Sequence, residues 1–100
     1  MRDLILTPEA FDDLRAACRW YEEQRSGLGV AFERAVEACL LRVQRAPESC
    51  PEIAPPFRRA IVRRYPYDVY YSLDDARVLI VSVVHHARNP AVAKSRLSRR

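Results

Sequence analysis

The spacing of apolar residues changes from a helical to a strand-like pattern at a cluster of prolines. In residues 8–46 the apolar side chains recur every three or four positions, whereas in residues 57–86 they alternate or run together. Between these segments lie Pro47, Pro51, Pro55 and Pro56, which indicate an extended connector because proline cannot donate a backbone hydrogen bond. A chain of 100 residues can bury one modest core. The pattern therefore predicts a single α+β domain spanning 1–100.

The predicted element order is β-α-α-β-β-β followed by a basic tail. Residues 2–6 are predicted as a strand, and Thr7-Pro8 predicts a helix start because threonine is a good N-cap and proline suits the first turn. The only two glycines, Gly27 and Gly29, separate helices at 8–25 and 29–46. Later strands are predicted at 57–65, 67–73 and 77–86, with the tail at 90–100. We expect a helical hairpin on one face of a four-stranded, mostly antiparallel sheet.

Apolar stripes give the predicted core. The first helix carries Phe11, Leu14, Cys18 and Tyr21, with Trp20 beside this stripe, and the second carries Phe32, Val36, Cys39, Leu40 and Val43. In residues 67–73, Tyr67, Val69, Tyr71 and Leu73 share one face, and Asp68, Tyr70 and Ser72 share the other. The run 78–84 is apolar apart from Ser82, which is typical of a central strand buried on both faces.

Positive charge is concentrated in the second half of the chain. Residues 1–56 have a net charge of −3 and residues 57–100 a net charge of +7, and sixteen of the seventeen cations are arginine. Arginine pairs bidentately with phosphates and carboxylates and stacks on flat rings. This half is therefore predicted to bind an anionic partner, either nucleic acid or an acidic protein segment. A solvated basic surface without a partner is the alternative interpretation.

The cysteines and the hydropathy pattern point to a cytoplasmic protein without a cofactor. Cys18, Cys39 and Cys50 form no CxxC pair and are expected to be free, buried thiols rather than metal or redox centres. No apolar run reaches the roughly 20 residues of a membrane span, and Met1 to Pro8 is too short for the core of a signal peptide. We therefore expect no metal, no cofactor and no membrane partner.

Four segments together resemble the RelE/ParE toxin superfamily. They are Trp20-Tyr21-Glu22, Gly27-Leu28-Gly29 with Phe32, the run Arg64-Tyr65-Pro66-Tyr67-Asp68-Val69-Tyr70-Tyr71, and His85-His86-Ala87-Arg88-Asn89-Pro90. Their order and spacing cover nearly the whole chain. The resemblance implies the toxin of a type II toxin–antitoxin module, which acts in plasmid stabilisation or stress. It also implies a cognate antitoxin, which is expected to be small and acidic. The toxin is expected to contact operator DNA only indirectly, through this antitoxin.

The resemblance leaves two cellular targets open. Members like RelE cleave mRNA on the ribosome and are expected to have an arginine on the middle strand and an aromatic residue near the C-terminus. At the middle-strand position this chain has Pro66-Tyr67 instead of arginine, and residues 91–100 contain no aromatic residue. The Arg-Tyr-Pro-Tyr and His-His-Ala-Arg-Asn-Pro segments look more like the ParE branch, which inhibits DNA gyrase without known catalysis. Gyrase poisoning is therefore the favoured hypothesis, and a ribosome-dependent mRNA endoribonuclease of RelE type is the alternative.

Candidate site residues come mostly from the basic half. The predicted target- or antitoxin-binding residues are Arg58, Arg59, Arg63, Arg64, Tyr65, Tyr70 and Arg88. Because neighbouring residues of a strand point to opposite faces, only one arginine of each pair can line one site. The other is expected to pair with a helix carboxylate such as Glu33 or Glu37, or to face solvent. Arg88 is the best single candidate, because it follows the central strand, where a loop can present it.

No catalytic residue is assigned under the gyrase hypothesis. Under the ribonuclease hypothesis, His85 and His86 are candidates for acid and base, and Arg88 and Arg64 for stabilising phosphate charge. The two histidines are expected on opposite faces of the sheet. One of them is equally well explained as a hydrogen-bonded residue at the end of a buried strand.

Overall fold

The computed structural model describes residues 1–87 and Leu97. It contains β1 (Asp3–Leu6), α1 (Pro8–Gln24), α2 (Leu28–Arg45), a short 3-10 turn (Pro47–Ser49), β2 (Glu52–Ala54), β3 (Phe57–Ile61), β4 (Tyr67–Leu73) and β5 (Arg77–His85). The sheet order is β1-β5-β4-β3-β2; β1 and β5 are parallel and the other pairs are antiparallel. The predicted α+β fold, with both helices on a mostly antiparallel sheet, is confirmed.

The sheet has five strands among the described residues, so the predicted number of four is wrong. The additional strand, β2, lies in the connector and pairs Glu52 with Arg58 and Ala54 with Phe57. Its sequence did not predict a strand because prolines flank it. An edge strand tolerates such neighbours, since only one of its sides needs backbone partners. The predicted strand 57–65 is also too long: β3 ends at Ile61, and the next residues form a turn. The predicted tail lies outside the described residues apart from Leu97.

Small residues bring α1 onto the sheet. Ala10 and Ala17 are buried, whereas Phe11 is 49% exposed. The predicted stripe is therefore wrong at Phe11 only: Leu14, Cys18 and Tyr21 pack against the core, and Ala10 takes the place expected for Phe11. The helix start is as predicted, with Thr7 Oγ1 accepting a hydrogen bond from the Ala10 N–H at 3.2 Å. The stripe predicted on α2 is buried throughout.

An interruption in β5 changes which of its residues face the helices. Tyr70 pairs with Ser82 but Tyr71 pairs with Ile80, so Val81 is an extra residue, as in a β-bulge. Val83 lies in the main core beneath the helices, whereas Val81 lies in a second apolar cluster on the opposite face. The Asp13 carboxylate of α1 accepts a hydrogen bond from the Val83 N–H at 3.0 Å. This contact fixes the end of β5, which leads into the two histidines.

Gly29 allows the two helices to approach closely. A Cβ atom at this position would lie 2.7 Å from the Cys18 carbonyl oxygen, and a backbone atom cannot move aside cheaply. Within a helix, glycine to alanine ordinarily stabilises by about 0.5–1 kcal/mol. Here the clash reverses the sign, and Gly29→Ala is expected to lower the free energy of unfolding by about 1–3 kcal/mol.

Urea denaturation would measure the effect of Gly29→Ala. The matched control is Val30→Ala, because Val30 is the next residue of α2 and its side chain is exposed. This control is expected to change the free energy of unfolding by about 0.5 kcal/mol or less. Equal stability of Gly29→Ala and the parent protein would contradict the close approach of the helices.

Candidate target-binding site

The segments that carry the resemblance meet at one end of the molecule. The ring of Tyr21 from α1 stacks on Phe32 of α2 with centroids 4.8 Å apart, and Tyr65 packs edge-on against Phe32 at 5.1 Å. Tyr67 contacts Phe32 at 4.9 Å and His85 at 5.4 Å. We call these five residues the aromatic cluster. It joins the helical hairpin to the β3–β4 turn and to the end of β5.

Glu22 fixes the hairpin beside this cluster. Its carboxylate accepts hydrogen bonds from the N–H groups of Gly27 at 3.1 Å and Gly29 at 3.0 Å. These backbone hydrogen bonds lower the pKa of Glu22. Trp20 packs edge-on against Tyr21 at 5.1 Å and is partly exposed at the rim of the cluster. The Trp-Tyr-Glu and Gly-Leu-Gly segments therefore have structural roles that build this end of the molecule.

The turn between β3 and β4 presents two adjacent arginines. The Tyr65 N–H donates to the Val62 carbonyl oxygen at 3.4 Å, and the Val62 N–H donates to the Tyr67 carbonyl oxygen at 3.0 Å. Arg63 and Arg64 lie between these bonds, and both are exposed. We call residues 62–65 the arginine turn. Because Tyr65 packs on Tyr21 and Phe32, the turn is anchored to the helices.

Arg64 has a backbone conformation that favours glycine. Its φ is +73°, in the left-handed region, where a Cβ atom crowds the backbone. The left-handed conformation costs a residue other than glycine about 1–2 kcal/mol, and a substitution by glycine removes this strain. Glycine also makes the unfolded chain more flexible, which lowers the free energy of unfolding by about 0.4–1 kcal/mol. Arg64→Gly is therefore expected to raise the free energy of unfolding by up to about 1 kcal/mol.

Arg63→Gly is the matched control for that prediction. It removes a second exposed arginine from the same turn, at a residue that does not have a positive φ. This change is expected to lower the free energy of unfolding by about 0.4–1 kcal/mol, because only the unfolded chain gains freedom. Urea denaturation of the two variants and the parent protein measures the contrast. Equal destabilisation by both substitutions would contradict the strain at Arg64.

The arginines within β3 lie in different surroundings. Arg58 donates hydrogen bonds to the carbonyl oxygens of Cys50 at 2.6 Å and Glu48 at 3.2 Å, and forms an ion pair with Glu52 at 3.8 Å. The carboxylate beside Arg58 thus comes from β2 and not from a helix. Arg59 pairs with Tyr70 across the sheet and is half-buried.

Tyr70 is largely buried at its predicted position on the face away from the helices. Only 8% of its surface is exposed, because it packs with Phe57, Val81 and Val84 in the second apolar cluster. The structure therefore groups Arg63, Arg64, Tyr65, His85 and His86 at one end. Arg58, Arg59 and Tyr70 lie farther along their strands, and Arg88 lies outside the described residues. The binding roles of all these residues remain predictions.

The two histidine rings contact each other with centroids 5.6 Å apart, and His86 lies beyond the end of β5, so the predicted placement on opposite faces of the sheet is not confirmed. His85 is in the aromatic cluster, and its Nδ1 accepts a hydrogen bond from the Ala87 N–H at 3.1 Å. His86 is half-exposed, and its Nδ1 lies 3.7 Å from an oxygen of the buried Asp68 carboxylate. This arrangement turns the His86 Nε2 away from Asp68. The His86 N–H also donates to the Pro66 carbonyl oxygen at 3.0 Å, which holds His86 beside the turn region.

Asp68 lies beside the candidate site residue His86, a contact that the sequence pattern did not reveal. Alternation correctly separates it from Tyr67 and Val69 and groups it with Tyr70 and Ser72, but does not indicate that this face is covered. That face is buried by a second apolar cluster, and Asp68 is only 4% exposed. The available signal was the position of Asp68 opposite the end of the last strand, where it pairs with Val84, close to the histidine pair.

Comparisons with solved structures show the same fold. A structure described as the chromosomal ParDE TA system from P. aeruginosa matches with a TM-score of 0.76 and 17% identity, covering 85% of this chain and 96% of that chain. A structure described as the YoeB dimer from Staphylococcus aureus matches with a TM-score of 0.56 and 17% identity, covering 85% of this chain and 97% of that chain. No curated protein sequence matches this chain. In the part of the chain that the structure describes, no helix combines the length and the apolar character needed to span a membrane.

The fold, together with a match to the sequence model of one of its families, shows that this chain is a member of the RelE/ParE toxin superfamily. The sequence model of one family in it, the ParE toxin of the type II toxin–antitoxin system parDE, matches residues 4–90. The chain belongs to this ParE toxin family.

Proposed function

We propose that this chain is a toxin that binds and poisons DNA gyrase in the cytoplasm, and that the arginine turn is its main contact with the target. The observation that carries the proposal is the pair of exposed arginines at Arg63 and Arg64, one of them in a strained backbone conformation. Backbone strain persists at functional sites where the surrounding structure holds it. The presence of arginine at position 64, where glycine would fit the backbone better, therefore supports a binding role for the Arg64 side chain.

The aromatic cluster supports binding without catalysis. Tyr65 packs edge-on against both Tyr21 and Phe32, so the turn is held in place before any partner arrives. A preorganised cationic surface loses less conformational entropy on association and can recognise an acidic protein surface. Such a surface needs no aligned acid and base. Arg88, which follows β5 in the sequence, stays a predicted second contact.

Membership of the ParE family implies an antitoxin partner. We propose a small acidic antitoxin whose extended or disordered segment covers the arginine turn and neutralises its charge. Operator DNA would then be bound by the antitoxin rather than by this chain. A toxin held in this way fits a role in plasmid stabilisation or stress.

One observation favours a second function, ribosome-dependent mRNA cleavage. Asp68 lies against Nδ1 of His86 and leaves Nε2 on the half-exposed side of the ring. A carboxylate in that position orients an imidazole so that Nε2 can take the proton of an RNA 2′-OH. Arg64 would then stabilise phosphate charge, with His85 and Arg88 as further candidates.

The decisive experiment is a supercoiling and cleavage-complex assay with purified DNA gyrase and antitoxin-free protein. The proposal predicts loss of supercoiling and trapped double-strand breaks. His86→Ala is expected to keep most of this activity, whereas charge reversal at Arg88 is expected to reduce it. No effect on gyrase, from folded protein that is toxic in cells, would overturn the proposal. Cleavage of mRNA in a translating extract that is lost in His86→Ala would then support the second function.

A further inference from the structure

Two cysteines and two arginines line a cleft between α2, the connector and β3. The cleft has a volume of about 400 Å³, and its walls include Cys39, Cys50, Arg42 and Arg63. Cys39 comes from α2 and is fully buried; Cys50 comes from the connector and is half-buried. Neither thiol takes part in the aromatic cluster or in the proposed gyrase contact. The cleft therefore brings together two thiols that are 11 positions apart in the chain.

Both cysteines are held in place by specific contacts. The Cys39 thiol donates to the Ile61 carbonyl oxygen at 3.8 Å. The Cys50 carbonyl oxygen accepts a hydrogen bond from Arg58 at 2.6 Å, and the buried Tyr71 hydroxyl donates to the Pro47 carbonyl oxygen at 2.6 Å. The connector around Cys50 is thus attached to the sheet at two points. These contacts hold the wall that carries Cys50 against the sheet.

The two thiols are close enough to interact electrostatically. Burial raises the pKa of the Cys39 thiol, the Arg42 guanidinium opposes that rise, and the charge of a Cys50 thiolate adds to it. Burial likewise raises the pKa of Tyr71, and a hydrogen bond with the Cys50 side chain adds to that shift. The two cysteines therefore line one cleft, and the charge of one thiol affects the ionisation of the other.

We propose that Cys39 and Cys50 form a reversible disulfide and that the cleft is a redox-sensitive modification site. Cytosolic disulfides are usually transient and often sense redox conditions. The proposed oxidant is the disulfide of a small anionic thiol, such as oxidised glutathione. Its carboxylates are attracted by Arg42 and Arg63, which line the same cleft. The proposal is independent of the cellular target.

The chemistry proceeds by two thiol–disulfide exchanges. The more exposed Cys50 loses its proton and attacks one sulfur of oxidised glutathione, so that a mixed disulfide forms and one glutathione thiolate leaves and takes up a proton. Cys39 then loses its proton and attacks the Cys50 sulfur, which forms the Cys39–Cys50 bond and releases the second glutathione. Two protein thiols are oxidised and one glutathione disulfide is reduced to two thiols.

The test uses the full-length folded protein in buffers of increasing oxidised-to-reduced glutathione ratio. Free thiols are then alkylated, and the intact mass and the cross-linked peptides are measured. The expected result is loss of two of the three thiols, so that the protein gains one alkyl group instead of three, and a peptide linking Cys39 to Cys50. Cys18 is the internal control, because it is also half-buried but lies in α1 outside the cleft. It is expected to remain alkylatable, and Cys18→Ser is expected to oxidise like the parent protein.

Variants separate the two exchanges. Cys39→Ala is expected to stop at the mixed disulfide on Cys50, and Cys50→Ser is expected to form neither product. Circular dichroism confirms that each variant is folded at the start. Three free thiols at every glutathione ratio would overturn the proposal. A parent protein that stops at the mixed disulfide on Cys50, or that forms only disulfides between molecules, would also overturn it.

Discussion

Charge reversal of the arginine turn is expected to reduce gyrase inhibition by on the order of a hundredfold. In the variant Arg63→Glu with Arg64→Glu, two exposed cations become anions at the proposed contact. Removal of one central interface residue commonly costs about 2 kcal/mol or more, and like charges across an interface add repulsion. The measurement is the concentration of toxin that halves the supercoiling activity of gyrase, at constant ionic strength.

The matched control has the same total charge. Arg34→Glu with Arg45→Glu reverses two exposed arginines of α2, which lie outside the arginine turn. We expect this control to stay within about threefold of the parent protein, because a charge outside the direct contact acts only through solvent that contains salt and is therefore partly screened. Urea denaturation verifies that both double variants are folded. An equal loss in both would indicate a general effect of net charge, and an unchanged Arg63/Arg64 variant would remove the turn from the proposed contact.

The helical half could be predicted closely because its signals are local. The predicted helices, 8–25 and 29–46, differ from α1 and α2 by one residue at their boundaries. Thr7, Pro8 and the two glycines act within one turn of their own positions, so their physical effects can be inferred from the sequence alone. The error at Phe11 has a different origin. Whether Ala10 or Phe11 faces the sheet depends on how closely α1 packs, which is a tertiary property.

The sheet was predicted less completely because strand pairing is not local. The connector strand β2 exists through its pairing with β3, and nothing in Glu52–Ala54 itself predicts that partner. The burial of Asp68 and Tyr70 depends on a second apolar cluster contributed by several strands. Alternation assigned these residues to the correct face. It could not show that this face is covered.

The candidate site was predicted as a set of residue types rather than as a place. The sequence indicated arginines, tyrosines and histidines in the basic half, and the resemblance added their order. Only the fold shows that the end of α1, the start of α2, the arginine turn and the end of β5 meet around Phe32. The positive φ of Arg64 is likewise a property of the folded turn, and the residue type alone does not indicate it.

Phe32→Ala is expected to destabilise the protein more than Gly29→Ala or a substitution in the arginine turn. Phe32 is fully buried and contacts the rings of Tyr21, Tyr65 and Tyr67 within about 5 Å. Truncation of a buried phenylalanine lowers the free energy of unfolding by about 3–5 kcal/mol, through lost transfer energy and the cavity left behind. A small domain has about 5–15 kcal/mol in total, so this change brings the protein close to unfolding. Urea denaturation gives the difference directly.

Phe11→Ala is the matched control, since it removes the same side chain from an exposed position of the neighbouring helix. Phe11 is half-exposed, and its ring lies 5.9 Å from the Arg15 guanidinium. Loss of that contact is expected to cost about 0.5–1 kcal/mol. Similar losses for both variants would contradict the burial of Phe32. A large loss confined to Phe32→Ala would show that the ring against which Tyr65 of the arginine turn packs is also a main stabilising element of the fold.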